Sequence, residues 1–440
     1  MAWEELLEGR DGTTPRANLG LRRMPPLRVH PANPRYFQDG EGRAVYLAGS
    51  HHWDSLVDNG ERPGGFDFEG YLDSLASWGH NFIRLWAHEA WLQDLDPRPW
   101  LRTGPGLALD GRPRFDLTRF DPEYFARLRW RVLRAAERGL YVSVMLFNGW
   151  SIHSKGEGNP WDRHPFNRRN NVNGVDGDPD ARGDGADAHS LRVPAVTRLQ
   201  ELYVRKVVEA VGDLDNVLWE IANESPGTSR DWQYFMIRFL KNLESARGRQ
   251  HLVGMTFAFP GGRNEDLFRS PADWISPGNR GGWRHRPPVA DGSKVVLVDT
   301  DHLWGIGGDR AWVWRTFLRG HHPIYMDPLD DDPVREGARR AMGDTVRFSR
   351  RLNLAACWPR MNLCSSGYAL ANKRPGEVLT WLPRGWGWIR LGWLPGPLRL
   401  EWFDPVAGRA EDGGWMEGGG IRRLRAPWRG EAVALLYRDL

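Results

Sequence analysis

The chain has 440 residues, too many for one ordinary domain, and 40% of them are hydrophobic, enough for a substantial core. Its 60 Lys and Arg nearly cancel 56 Asp and Glu, so the net charge of +4 calls for no polyanionic partner, and no basic helix or RNA-binding motif points to nucleic acid. Cys357 and Cys364 are too few for a disulfide framework or a zinc ligand set, and no stretch approaches the ~20 apolar residues that span a bilayer.

No apolar run near residue 1 suits a signal peptide, so a cytoplasmic protein is expected, or a secreted one if a leader has been removed. The 24 tryptophans are the compositional excess. In a core they are large apolar groups, and along a cleft they offer flat faces on which sugar rings stack.

Residues 1–30 read as a lead-in, with a hairpin or cap around Asn33-Pro34 beneath the main domain. From there the hydrophobic period alternates between two and 3.6. An apolar run over 44–49 ends in His51, His52 and Trp53. Phe68, Tyr71, Leu72, Leu75 and Trp78 mark a helix closed by Gly79, before a strand at 81–86. Tyr124, Phe125, Leu128, Val132 and Ala135 mark a second helix, stopped by Gly139, before a strand at 140–147. Residues 149–193 form a long polar excursion, expected to wall a cleft because long loops inside a domain are commonly functional. Val196, Leu199, Tyr203 and Val207 lead into a strand at 216–222. Trp232, Phe235, Phe239 and Leu243 lead into one at 252–257. Weaker strands follow at 273–275, 295–298 and 323–326, and a helix over 334–351.

Eight strands alternating with helices predict an α/β fold with a closed (β/α)8 barrel over residues 31–352. No Gly-rich dinucleotide turn follows any strand, which argues against an open doubly wound sheet. Beyond residue 353, short runs punctuated by Gly, Pro and Trp predict a small all-β sandwich over 353–440. Its simplest role is to pack against the barrel.

The strand mouths carry the chemistry. The first supplies His51, His52 and Trp53. The second supplies Arg84 and Trp86, the third Asn148 and Trp150, the fourth Asn223 and Glu224. The seventh runs into Asp299, Asp301, His302 and Trp304, and the eighth ends in Asp327. Capping explains one polar residue after a strand, but not carboxylates, imidazoles, an Arg and indoles at most of the mouths. Glycosidic cleavage needs one carboxyl group protonated and another ionised. Glu224, flanked by Trp219 and the apolar strand, suits the acid. Asp299 is the first choice for its partner and Asp301, expected to point the same way along the strand, the second.

The segments Asn-Phe-Ile-Arg-Leu-Trp (81–86), the strand at 140–147 and Asn-Val-Leu-Trp-Glu-Ile-Ala-Asn-Glu (216–224) resemble strands two, three and four of the retaining (β/α)8 glycoside hydrolases of clan A. The opening Leu-Ala-Gly-Ser-His-His-Trp (47–53) and the run Leu-Glu-Trp-Phe-Asp-Pro-Val-Ala-Gly-Arg (400–409) are similar to the apiosidase-like branch. The resemblance implies that Glu224 is the acid/base, that Asn223 binds the hydroxyl next to the anomeric carbon, and that Arg84 orients the carboxylates. Two positions depart from the pattern. The strand-seven Glu is replaced by Asp299 or Asp301, and the Pro after the Asn-Glu pair is Ser225.

A carbohydrate substrate, no cofactor and no metal are thus expected. A metal-dependent hydrolase built from His51, His52, Asp299, Asp301, His302 and Asp327 is the rival, although adjacent His51 and His52 would face opposite sides of a strand. A non-catalytic sugar-binding barrel is the other. The acidic loop 176–187 lacks EF-hand spacing and reads as solvated rather than calcium-binding.

Overall fold

Short apolar runs ending in polar residues become the staves of a barrel in the computed structural model, which describes residues 24–58, 65–153, 156, 158–374 and 376–438. The first 23 residues of the predicted lead-in lie outside the described residues. The strands are β1 (Gly49–His51), β2 (Phe82–Leu85), β3 (Tyr141–Asn148), β4 (Val217–Asn223), β5 (Val253–Thr256), β6 (Trp274–Ser276), β7 (Val295–Asp299) and β8 (His322–Met326). All pair in parallel, in the order β1-β8-β7-β6-β5-β4-β3-β2. The ring completes between β1 and β2, where Asn81 N–H donates to the Ala48 carbonyl and Ala48 N–H to Asn81 Oδ1. Gly49 makes this approach possible, since a Cβ there would lie 2.0 Å from Phe82 O.

The outer layer is α1 (Phe68–Trp78), α2 (Pro122–Glu137), α3 (Pro194–Val211), α4 (Arg230–Ser245), α5 (Asn264–Arg269), α6 (Arg310–Leu318) and α7 (Pro333–Ser349). Asp67, Asp121 and Asp332 cap α1, α2 and α7 through their side chains, with Pro at the first turn of the last two. Between β6 and β7 stands an irregular loop, residues 277–294, where a barrel helix would be expected.

The first predicted strand is divided. Ala44–Val45 joins Arg28–Val29 and Phe37–Gln38 in an antiparallel sheet, and the barrel strand begins only at Gly49. This small sheet plugs the barrel's lower end. Leu27, Phe37 and Leu47 pack there with Phe82, Leu218, Val295, Leu297 and Ile324 from the strand starts.

The 149–193 excursion carries structure of its own. Beyond its root it folds into 3-10 turns and pairs with a hairpin, Trp100–Leu107 and Pro113–Phe120, through Phe115 and Asn170. Its acidic stretch is internally satisfied: Asp187 pairs with Arg182 and Arg192, and Asp178 accepts from the backbone of Arg182 and Gly183.

After α7 a six-stranded antiparallel sheet begins at Trp358. Alternation splits its side chains between two cores. Leu379, Trp381, Phe403, Val433 and Leu435 join the barrel core, where Phe403 meets Trp314 of α6 and Phe348 of α7. Val378, Leu382, Trp402, Ala434 and Leu436 face away and pack with Ile389 and Leu424 of a two-stranded sheet, Trp386–Arg390 and Ile421–Arg425.

Candidate active site

The barrel interior is apolar below and polar above. Phe82, Trp274, Leu297 and Ile324 fill the lower part, while Arg84, Ser143, Glu220, Thr256, Ser276 and Asp299 face one another higher up. A buried guanidinium must find acceptors for its five N–H groups. Arg84 on β2 finds them in every direction. Its Nε and Nη2 form a bidentate pair with Glu220 at 2.7 and 2.6 Å, Nη2 also donates to Asn223 Oδ1 at 2.7 Å, and Nη1 donates to Asp301 Oδ2 at 2.8 Å. Burial works to lower the Arg84 pKa, but Glu220, Asp299 and Asp301 outweigh it and raise it.

Asp299 lies beside this hub and is turned away from solvent. His51 on β1 accepts from Trp86 Nε1 at its Nδ1 (2.8 Å), so its proton is on Nε2, which donates to Asp299 at 2.9 Å. Asp299 Oδ1 also accepts from the Asp301 backbone N–H. Burial opposes its charge, yet the His51 ring and the Arg84 guanidinium hold its carboxyl well below the usual range. After Asp299 the chain leaves the strand for a 3-10 turn, Thr300–His302, and Asp299 caps it. That turn, rather than a continued strand, carries Asp301 to the open side.

Above the polar layer lies a cleft of about 960 Å³. Every strand mouth contributes to it: Trp53 after β1, Trp86 after β2, Trp150 after β3, Glu224 after β4, Phe257 after β5, Arg280 after β6, Asp301 and Trp304 after β7, and Met326 of β8. This is the C-terminal mouth of the barrel, where the backbone is free to vary without disturbing the staves. Glu224 adopts φ +42°, in the left-handed region that costs a non-glycine residue ~1–3 kcal/mol. Its Oε2 accepts from Trp150 Nε1 at 2.6 Å. Gly149 makes the pairing possible, because a Cβ there would lie 2.2 Å from Glu224 O.

Of the residues expected at the site, Trp53, Trp86, Trp150, Glu224, Asp301, His302 and Trp304 line the cleft. The others are buried beside or beneath it. His51, Arg84, Asn223 and Asp299 form the hydrogen-bonded layer around the guanidinium. Asn148 binds Ala87 O and His88 Nδ1 through its amide and accepts from Trp150 N–H, so it fixes the segment after β2 to the end of β3. His52 is stacked between Trp53 and Phe66, and Asp327 is a bidentate partner of Arg339 on α7. Trp219 faces the helix layer and donates to Glu244, so the indole beside Glu224 is Trp150 instead.

His302 donates from Nε2 to Asn223 Oδ1 and accepts from Ser276 Oγ at Nδ1, and burial lowers its pKa. Burial likewise lowers His88 to about 4. Among the described residues no three His, Cys, Asp or Glu side chains converge as a metal ligand set. The six residues of the metal-hydrolase alternative are each committed to protein partners.

Glu220, Trp91, Phe257, Phe259, Arg263, Arg280 and Arg284 also belong to the site, beyond the residues expected there. Glu220 had a signal: a lone carboxylate inside an apolar strand must have a buried cationic or donor partner. The rest come from loops, where no period marks direction.

A family described as a domain of unknown function, DUF6298, matches residues 77–258, from the end of α1 to just beyond β5. No curated protein matches the sequence. Solved structures align over nearly the whole chain. One described as a glycoside hydrolase has TM-score 0.59 and 13% identity over 94% of this chain and 97% of its own. A glycoside hydrolase of family 5 from Bacteroides vulgatus has TM-score 0.60 and 13% identity, over 96% and 95%. Another Bacteroides vulgatus protein, described as a candidate glycoside hydrolase, has TM-score 0.64 and 14% identity, over 94% and 82%. At such identities the likeness establishes the fold: a (β/α)8 barrel followed by antiparallel sheets is shared along the length of these chains.

Proposed function

We propose that this protein is a glycoside hydrolase in which Glu224 is the general acid/base and Asp301 the second carboxylate. One observation carries the reading: Glu224 from β4 and Asp301 from the turn after β7 face one cleft, together with five indoles, those of Trp53, Trp86, Trp91, Trp150 and Trp304. Flat aromatic walls suit sugar rings, and a carboxyl pair suits an acetal. The fold shared with glycoside hydrolases supports the same reading.

The chemistry assigns each group a task. Trp150 Nε1–H fixes Glu224 Oε2 as an acceptor, so the acid proton belongs on Oε1, from which it passes to the leaving-group oxygen as the glycosidic bond breaks. Asp301, held by Arg84, then either attacks the anomeric carbon or deprotonates the water that does. A carboxyl separation of ~5 Å serves the first course and ~6.5–9.5 Å the second. Asp299 is a positioning residue. It accepts hydrogen bonds from the Asp301 backbone N–H and from His51 Nε2–H, which is why the buried carboxylate rather than the cleft-lining one is the support. The likeness of residues 47–53 and 400–409 to the apiosidase-like branch adds plant-type glycosides to the substrates worth testing.

A panel of aryl glycosides and plant and microbial polysaccharides, with product anomers followed by NMR, tests the proposal. Retention identifies Asp301 as nucleophile and inversion identifies it as base. Release of sugar by Glu224→Gln and Asp301→Asn at wild-type rates would refute both roles.

A further inference from the structure

The two carboxylates do not account for the charge in the cleft. The loops after β5 and β6 bring Arg263, Arg280 and Arg284 to the same cavity. Cleavage of a neutral glycoside asks for a carboxyl pair, hydroxyl partners and ring faces, and does not require three cations facing the cleft. Three like charges on one wall repel one another, and an anion between them would relieve that cost.

Some surface arginines elsewhere in the chain are neutralised by close carboxylates, as in Arg129–Asp213, Arg335–Asp330 and Arg399–Asp412; Arg263, Arg280 and Arg284 instead line one cavity together. Among the described residues Arg280 and Arg284 form no ion pair, while Arg263 meets both oxygens of Asp266 at 3.3 and 3.4 Å. Arg284 is nonetheless fixed. Its Nε and Nη2 donate to the Leu303 carbonyl, and its guanidinium lies 5.7 Å from the ring centre of Trp304.

The loop that carries Arg280 and Arg284 is also anchored. Asn264 Oδ1 accepts from Gly278 N–H, and its Nδ2 donates to the carbonyls of Gly278 and Arg280. Asn264 directly follows Arg263, so one side chain ties both arginine-bearing loops together. Between Arg280 and Arg284, Trp283 is buried and its carbonyl accepts from Trp312 Nε1. The Arg284 guanidinium and the backbone that carries Arg280 are thus set in place before any ligand arrives, which lowers the entropy lost on binding.

The geometry points to an anion subsite: the cleft takes a saccharide bearing a uronate carboxylate or a sulfate ester, and Arg280 and Arg284, with Arg263 at the rim, meet its charge. This rests on the glycosidase reading and names its substrate class. Arginine suits the task because its planar fork matches two oxygens of such groups at once.

Binding separates this inference from the reading beneath it. Affinity electrophoresis of Glu224→Gln, which leaves the arginines untouched, is run in gels containing polygalacturonate, alginate or glucuronoxylan, each paired with its carboxyl-reduced form, and carrageenan paired with agarose. Retardation by at least one acidic polymer and not by its neutral counterpart is expected, weakening with salt. Retardation confined to carrageenan would identify sulfate as the group. Adding Arg280→Ala and Arg284→Ala weakens binding at least about tenfold, the loss expected for a charge-assisted hydrogen bond. Arg280→Glu alone, at an exposed position, acts in the same direction without disturbing the fold. Equal retardation by acidic and neutral partners, none by any acidic polymer, or none of the expected weakening in the arginine variants overturns the subsite. Retention on an acidic polymer from which the wild type releases no more reducing ends than Glu224→Gln leaves the subsite standing and refutes the glycosidase.

Discussion

Replacing Arg84 with Met removes the centre of the polar layer while keeping most of its volume. Four hydrogen bonds of 2.6–2.8 Å disappear, two of them to Glu220. Glu220 is fully buried and would keep only Ser143 Oγ, at 3.3 Å. Breaking a buried ion pair on one side costs ~3–5 kcal/mol, because the partner's charge is left uncompensated. An unfolding entropy of roughly 2.1 cal/mol/K per residue, taken over the whole chain, is about 0.9 kcal/mol/K, so Tm should fall by about 3–5 °C. The double variant Arg84→Met/Glu220→Met replaces the pair with apolar groups of similar size and should recover most of that loss. Calorimetry of the wild type, both single variants and the double variant closes the cycle. If Arg84→Met melts within about 1 °C of the wild type, or if the double variant melts no higher than Arg84→Met, the hub does not carry the stability assigned to it.

Four buried histidines make stability depend on pH. Burial lowers His80, His88 and His322 to about 4 and His321 to about 3, against 6.5 for the free side chain. At these four side chains the unfolded chain therefore binds up to four more protons than the fold between these values. Stability is fully present above about pH 6.5 and is lost toward pH 4, at up to about 5 kcal/mol per pH unit; a Tm unchanged between pH 7 and pH 5 would contradict this. Glu224→Gln and Asp301→Asn should each lower kcat about 10³-fold on an active substrate, while Asp299→Asn should keep measurable turnover; equal losses in all three would return Asp299 to the reacting pair. Trp150→Phe keeps an aromatic face and removes the donor to Glu224, so kcat should fall about tenfold with KM little changed. Gly149→Ala forces a Cβ against Glu224 O and should abolish activity with little loss of secondary structure by circular dichroism.

The hydrophobic period determined the barrel. Runs such as 140–147, 216–222 and 295–298 are staves because each is short, apolar and followed by a turn, and the helices between them carry one apolar face. Glu224, Trp150 and Trp304 were legible as mouth residues for the same reason, since polar or aromatic groups just past a buried strand face the rim. Which mouth residue reaches the cleft was decided only by the tertiary structure. His51, Asn148 and Asp327 found partners in Trp86, His88 and Arg339, far away in sequence for His51–Trp86 and Asn148–His88 and across a turn for Asp327–Arg339, and were drawn inward. Asp299 and Asp301 were indistinguishable along a straight strand. The chain instead curls after Asp299, because its carboxylate caps the next turn, and that local bond sends one aspartate to His51 and the other to the cleft. Arg263, Arg280 and Arg284 carry no period at all. They share a wall because Asn264 joins two loops, a contact that only folding brings about.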